Sequence, residues 1–298
     1  VQQYQEKRSD AAEALKQALS DSVDTFVKKA GEEIVHTVDT TKKEQLKKSI
    51  ESGIKDHLRG FSRTIPSFLM AYGDSGVTLD TFDKIIPDEV FLEVTSITLD
   101  QFRLLRDGGD YFDTETGEQK HFDGKLFEPV VFDDAVKEFL HKKIQLADYF
   151  DTKNIEDIFD YIPPQKTNQI FTPKWVVKKM VDMLEKENPG CFDNPDKTFI
   201  DLYMKSGLYI AEIVKRLYHS DKIIELFPDK NDRLRHIFEK QVYGLAPTEI
   251  IFKIATNFIL GFDENVEITA HNLKHSDSLP YAKDGNLNEL IDELYSHK

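Results

Sequence analysis

Residues 199–209 read Phe-Ile-Asp-Leu-Tyr-Met-Lys-Ser-Gly-Leu-Tyr, and the fold is decided there. The apolar stretch Thr198–Tyr203 is the length of a strand, Met204–Gly207 is a tight turn, and Leu208–Tyr218 reads as a helix. A small turn ending in Ser206-Gly207 lets backbone approach a ligand, and a helix start presents unpaired N–H groups to it. Asp201, at the strand end, is suited to a ligand ammonium or hydroxyl. Turns of this kind occur in many α/β proteins, so the stretch gains meaning from its surroundings.

Those surroundings alternate. A helix is expected over 173–187, before the strand. A charged helix near 230–240, a strand Gln241–Leu245, a helix Pro247–Leu260 and a strand Val266–His271 are expected after it. Strands alternating with helices predict parallel βαβ units and a doubly wound sheet, with ligands at the carboxyl ends of the strands. Two more strand ends then matter. Val242–Glu249 (VYGLAPTE) is where a carboxylate would accept from ribose hydroxyls; Ala246 stands near that position and Glu249 is the nearest acid. Asn272–Leu279 (NLKHSDSL) holds Asp277, which can take an adenine amino group or cap a turn. Upstream, Gln169-Ile170-Phe171-Thr172-Pro173 leads into the first helix. By itself it is a capped start, with Phe171 as staple, Thr172 as N-cap and Pro173 in the first turn. Trp175 and Phe171 are expected in core packing rather than stacked on a base. His236 and His271 read as structural or surface residues.

The first half has another character. Within residues 5–58, Leu15, Leu19, Val23, Phe26 and Val27, then Leu46, Ile50, Ile54 and Leu58, recur at helical spacing, with Thr41 and Glu44 as a capping box. Short helices are expected at Leu79–Ile86, Asp88–Val94 and Leu99–Arg106. Residues 107–124, rich in turn formers and acids, predict an exposed loop or hairpin rather than a calcium loop. A helix returns at 131–150. Pro163-Pro164 within 151–168 marks the boundary between a helical part, 1–150, and an α/β part, 151–298.

Composition excludes several classes. The net charge of −15 comes from residues 63–298, which hold 28 Lys+Arg against 43 Asp+Glu, since residues 1–62 hold 11 of each. A basic excess for gripping phosphates is absent, although a local basic patch is compatible with these numbers. The single cysteine, Cys191, cannot form an internal disulfide, which fits a reducing, cytoplasmic setting. No long apolar run suggests a membrane span. No CxxC or HExxH suggests a metal site, and neither GxGxxG nor a Walker turn is present. Val1, rather than Met, reads as a boundary inside a longer polypeptide.

Taken in order, QIFTPKWVVKKMVDMLE, FIDLYMKSGLYIAEI, VYGLAPTEIIFKIATNFIL and HSDSL resemble the cofactor half of S-adenosylmethionine-dependent DNA adenine methyltransferases of restriction-modification systems. The resemblance covers about residues 160–298. It implies an α/β fold, part of a Rossmann-like doubly wound methyltransferase sheet, following the all-α first part. It also implies cofactor contacts from Phe171, Thr172, Pro173, Asp201, Ser206, Gly207, Glu249 and Asp277. The family's turn has Gly where Lys205 stands here, so a long cation is expected to crowd the cofactor or repel its sulfonium. The family holds a flipped adenine with Asn/Asp-Pro-Pro-Tyr. That stretch does not occur, so no catalytic residue is assigned, and residues 1–298 alone are expected not to methylate DNA. DHLRGFSRTIPSFLMAYG resembles the helical region after the motor in single-chain restriction enzymes. This implies adjacent helicase and target-recognition regions and DNA as partners of a longer parent. The competing reading is a non-enzymatic helical interaction module with a vestigial α/β lobe.

Overall fold

The computed structural model describes residues 17, 21, 24–25, 61–113, 116–151, 156–162, 171–263 and 265–295. The helices expected within 5–58, Gln169-Ile170 and Pro163-Pro164 lie outside the described residues. The chain divides into two compact units. The first is Val1–Lys142 with Tyr161–Asn168; the second is Lys143–Asp160 with Gln169–Lys298.

The first unit is built on phenylalanine. Helix α1 (61–72) is followed by α2 (Leu79–Ile85), α3 (Asp88–Thr95) and α4 (Leu99–Asp107). A helix of seven to nine residues has little stability of its own, so tertiary packing must hold it. Phe82, Phe91 and Phe102 are fully buried, and Phe61 packs against all three. Phe68 stacks on Phe91 with centroids 5.6 Å apart, and Phe102 meets Phe127 at 5.1 Å. Local chemistry sets the helix starts. The Thr98 hydroxyl accepts from the Gln101 amide while the Gln101 side chain accepts from the Thr98 amide, a reciprocal cap. The buried Asp83 carboxylate accepts from Arg103 at 2.7 Å and Arg106 at 2.6 Å. Residues 109–122 form the expected hairpin, β1 (Gly109–Asp113) antiparallel to β2 (Glu118–Phe122). Its acids pair with Lys120 and His121. Helix α5 (Pro129–Gln145) supplies Phe132, 5.3 Å from Phe82.

The second unit holds a parallel sheet of β3 (Phe199–Asp201), β4 (Val242–Ala246) and β5 (Asn272–His275), in that spatial order. Helix α6 (Lys174–Glu187) precedes it. Helix α7 (Leu208–His219) joins β3 to β4, and α10 (Glu249–Leu260) joins β4 to β5. Between them lie α8 (Asp221–Leu226), α9 (Lys230–His236) and a π-helix, Ile237–Gln241. After β5 come α11 (Leu279–Asp284) and α12 (Leu287–Tyr295). Fully buried Ile210, Val214 and Leu217 on α7, with Ile250, Ile254 and Ala255 on α10, cover the sheet. Each large aliphatic side chain among them contributes about 1.5–3 kcal/mol. Phe252 of α10 lies over His275, whereas Tyr295 of α12 meets Lys274, the residue before it in β5. Neighbouring strand residues point to opposite faces, so α10 and α12 flank opposite sides of the sheet.

Three expectations need correction. The third strand is Asn272–His275, not Val266–His271. Val266, Ile268 and Ala270 do alternate in burial with exposed neighbours, but among the described residues the segment has no ladder partner. Pairing is instead fixed at Asn272, whose side-chain amide donates to the Phe238 and Glu239 carbonyls at the π-helix while its backbone pairs with Tyr243. The expected cap at Thr172 is displaced by one residue. The helix starts at Lys174 with Pro173 as N-cap, and the Pro173 carbonyl accepts from the Val176 and Val177 amides. Trp175 is not in the core but 71% exposed.

Candidate functional site

The carboxyl ends of the three strands are bonded to one another. At the end of β3 the Met204 amide donates to the Leu245 carbonyl of β4 at 2.7 Å. At the end of β5 the Ser276 amide donates to the Ala246 carbonyl at 2.8 Å. The Ser278 hydroxyl, almost fully buried, donates across to the Leu202 carbonyl just after β3. These bonds gather three turns whose side chains were picked out from sequence separately: Asp201 to Gly207, Thr248-Glu249, and Asp277.

Asp201 closes β3. Its carboxylate accepts from the Tyr203 amide at 3.1 Å. Burial pushes the carboxyl above the ordinary carboxylate range, and the Tyr203 amide partly offsets that rise. A carboxylate kept from water in this way gains by accepting from a cation or hydroxyl. Met204, fully buried, packs its sulfur over Gly244; a Cβ built there would lie 2.9 Å from the Met204 Sδ. A larger residue at 244 would force the Met204 side chain to shift.

Gly207 is required twice. Its φ of +85° lies in the left-handed region, and a Cβ would meet Ile259 at 2.8 and 2.9 Å. The Ser206 hydroxyl, buried beside it, accepts from the Leu208 amide at 3.3 Å. The first turn of α7, twelve residues long, therefore opens next to Asp201 with its positive end toward the turn. The Lys205 ammonium sits 6.0 Å from the centre of the Tyr203 ring, a cation–π position directed at a neighbour of its own turn.

Glu249 is the first residue of α10, half-buried, after Thr248, whose hydroxyl accepts from the Ile251 amide at 3.5 Å. Asp277 is exposed, and one of its carboxylate oxygens accepts from the Leu279 amide at 3.0 Å, at the start of α11. Turn capping is thus one role that this residue performs.

Phe171 takes a different place. Its ring lies 4.8 Å from Phe159, which lies 4.9 Å from Phe258 of α10. Core packing, expected for Phe171, is what these contacts describe. It reaches the strand-end turns through α10, where Ile259 follows Phe258 and meets Gly207. His236 stacks on Phe227 with centroids 4.2 Å apart and bonds the Pro195 carbonyl. The His271 ring accepts from the Leu273 amide. Both are structural. Ser278 escaped the sequence reading because its partner is 76 residues away; the Asp-Ser pair after a strand was the available signal.

Among the described residues, no group of three or more His, Cys, Asp or Glu side chains is placed to hold a metal ion. No helix among them is long and apolar enough to cross a membrane.

The chain is 29% identical over 94 residues to a protein of Mycoplasma pneumoniae described as an uncharacterized adenine-specific methylase. The match takes in 31% of this chain and 22% of that protein, so the chain spans about a fifth of the relative's length. No family model and no solved structure matches.

Proposed function

We propose that the second unit carries the cofactor-binding side of an S-adenosylmethionine-dependent, adenine-specific DNA methyltransferase. The observation that carries this reading is the stitching of three parallel strand ends, which gathers Asp201, Glu249 and Asp277 at one edge of the sheet in the order the resemblance requires. The similarity to an adenine-specific methylase supports it. So does the topology. Successive strands β3, β4 and β5 lie side by side and α10 and α12 flank opposite faces, which is compatible with half of a Rossmann-like doubly wound sheet.

The residues present fit the cofactor's chemistry. Asp201, raised by burial, accepts from the methionine ammonium. The amide groups of the first turn of α7, behind Ser206 and Gly207, face its carboxylate. Glu249 accepts from the ribose hydroxyls, and Asp277 from the adenine amino group. Phe171, Thr172 and Pro173 bound the site from the start of α6. When bound, the cofactor supplies an electrophilic methyl on its sulfonium. Lys205 is accommodated by turning to Tyr203. In this reading the whole protein belongs to a restriction-modification system in the cytoplasm. Its partners are DNA and adjacent helicase and target-recognition regions.

The test is a calorimetric titration of S-adenosylmethionine into the 298-residue chain, beside Asp201→Asn and Lys205→Gly. The expected result is saturable binding by the parent, at least about tenfold weaker binding by Asp201→Asn, and binding within about threefold of the parent by Lys205→Gly. Folded protein that binds in none of the three forms would refute the reading.

A further inference from the structure

The acidic chain contains a place where basic groups from two helices converge. A cleft enclosing about 20 Å³ is lined by Tyr149, Lys174, Val177, Leu208, Glu212 and Lys215. That volume admits one water-sized group, or one oxygen of a tetrahedral anion. Lys178 lies one helical turn beyond Lys174 on α6, on the same side. Glu212, the carboxylate in the wall, is engaged by Arg216, whose Nε and Nη2 both donate to it at 3.0 Å. Arg216 also pairs with Asp182 and Glu185. Among the described residues, neither Lys178 nor Lys215 has a carboxylate within ion-pair distance. Asp148 is the other acid near Lys215, and its Oδ1 accepts from the Phe150 amide.

We propose that Lys174, Lys178 and Lys215 form a binding site for a phosphate group, with one phosphate oxygen seated in the cleft and the others between the ammonium groups at its mouth. This proposal does not rest on the cofactor reading, although the cleft reaches Lys174 and Leu208, beside the residues given there to the cofactor. Crowding supports it. Burial pushes the Lys215 ammonium below its ordinary range, and the neighbouring charges of Lys174 and Lys178 push the same way against Glu212 and Asp148. An ammonium crowded in this way, Lys215, is relieved by a bound anion. Phosphate fits because each ammonium presents three donors to its oxygens. A small monoester and a nucleic-acid backbone both supply such a phosphate, and competition separates these sources.

The chain provides its own reporter. Trp175 is the one tryptophan, exposed and next to Lys174. Inorganic phosphate would be titrated at ionic strength held constant with chloride, with Trp175 fluorescence and calorimetry read together. The expected result is saturable binding that Lys215→Gln weakens about tenfold. Lys178→Gln, at an exposed position that leaves the packing intact, should weaken it about threefold. Displacement of bound phosphate by a short single-stranded oligonucleotide would assign the site to a nucleic-acid backbone; failure to displace it would assign it to small phosphates. Silence in both readouts, an equal response to chloride, or unchanged affinity in both lysine variants would overturn the proposal.

Discussion

The two units solve the problem of holding short elements in opposite ways. The first holds helices of seven to nine residues with interlocking phenylalanines, and one of its buried polar groups, the Asp83 carboxylate, is matched by two arginines. The second uses aliphatic helix faces on a parallel sheet and gathers Asp201, Ser206 and Ser278 at the strand ends. There Asp201 is raised rather than lowered by its surroundings. One carboxylate is satisfied inside the protein; the other is suited to an external partner. Here the paired carboxylate serves stability, and the raised one stands where the cofactor contact is proposed.

The largest expected effect lies in the first unit. Phe82→Ala should cost about 3–5 kcal/mol, seen as a fall in the chemical denaturation midpoint with hydrogen exchange accelerated over 61–107. A loss below 1 kcal/mol would break the contrast, because the aromatic network would then not be what holds the short helices. Next, Gly207→Ala should cost about 1–3 kcal/mol through left-handed strain and contact with Ile259, and it should abolish binding at the strand ends. Ser278→Ala removes the tie to Leu202 and should cost about 1 kcal/mol, with a larger loss in cofactor affinity than in stability.

The two carboxylates predict opposite pH behaviour. For Asp83, burial raises the carboxyl, but the hydrogen bonds from Arg103 and Arg106 outweigh it and hold the group below its ordinary value. Its folded value lies below its unfolded value. Its stabilisation is therefore present above about pH 4 and is lost as the pH falls through the folded value. Asp201 is shifted the other way. Its ionisation opposes folding above its raised value, and that penalty is relieved as the pH falls through it. Asp201→Asn should thus raise the thermal midpoint at neutral pH while weakening cofactor binding. Denaturation midpoints across pH 3–8 for Asp83→Asn and Asp201→Asn give the comparison, and matching slopes would contradict it.

Much of this architecture is legible in the residues. The strands at 199–201 and 242–246, the turn at Met204–Gly207 and the hairpin at 109–122 follow from local pattern and turn chemistry. The third strand does not. The alternation of Val266, Ile268 and Ala270 imitates a strand, whereas Asn272-Leu273-Lys274-His275 is made one by long-range bonds to Phe238, Glu239 and Tyr243. Asp201, Glu249 and Asp277 could be picked out singly, but what brings them together is backbone bonding among strand ends and the Ser278 hydroxyl, invisible to any local window. Lys205 presented the same difficulty in reverse, since its place 6.0 Å from the Tyr203 ring centre depends on geometry within the turn.

The most direct test is hydrogen exchange of the 298-residue chain with and without saturating S-adenosylmethionine. The account predicts slowed exchange over Asp201–Tyr209 and Ser276–Leu279, with no change in the hairpin at Gly109–Phe122. Unchanged exchange at the strand ends, or protection confined to the first unit, would contradict it.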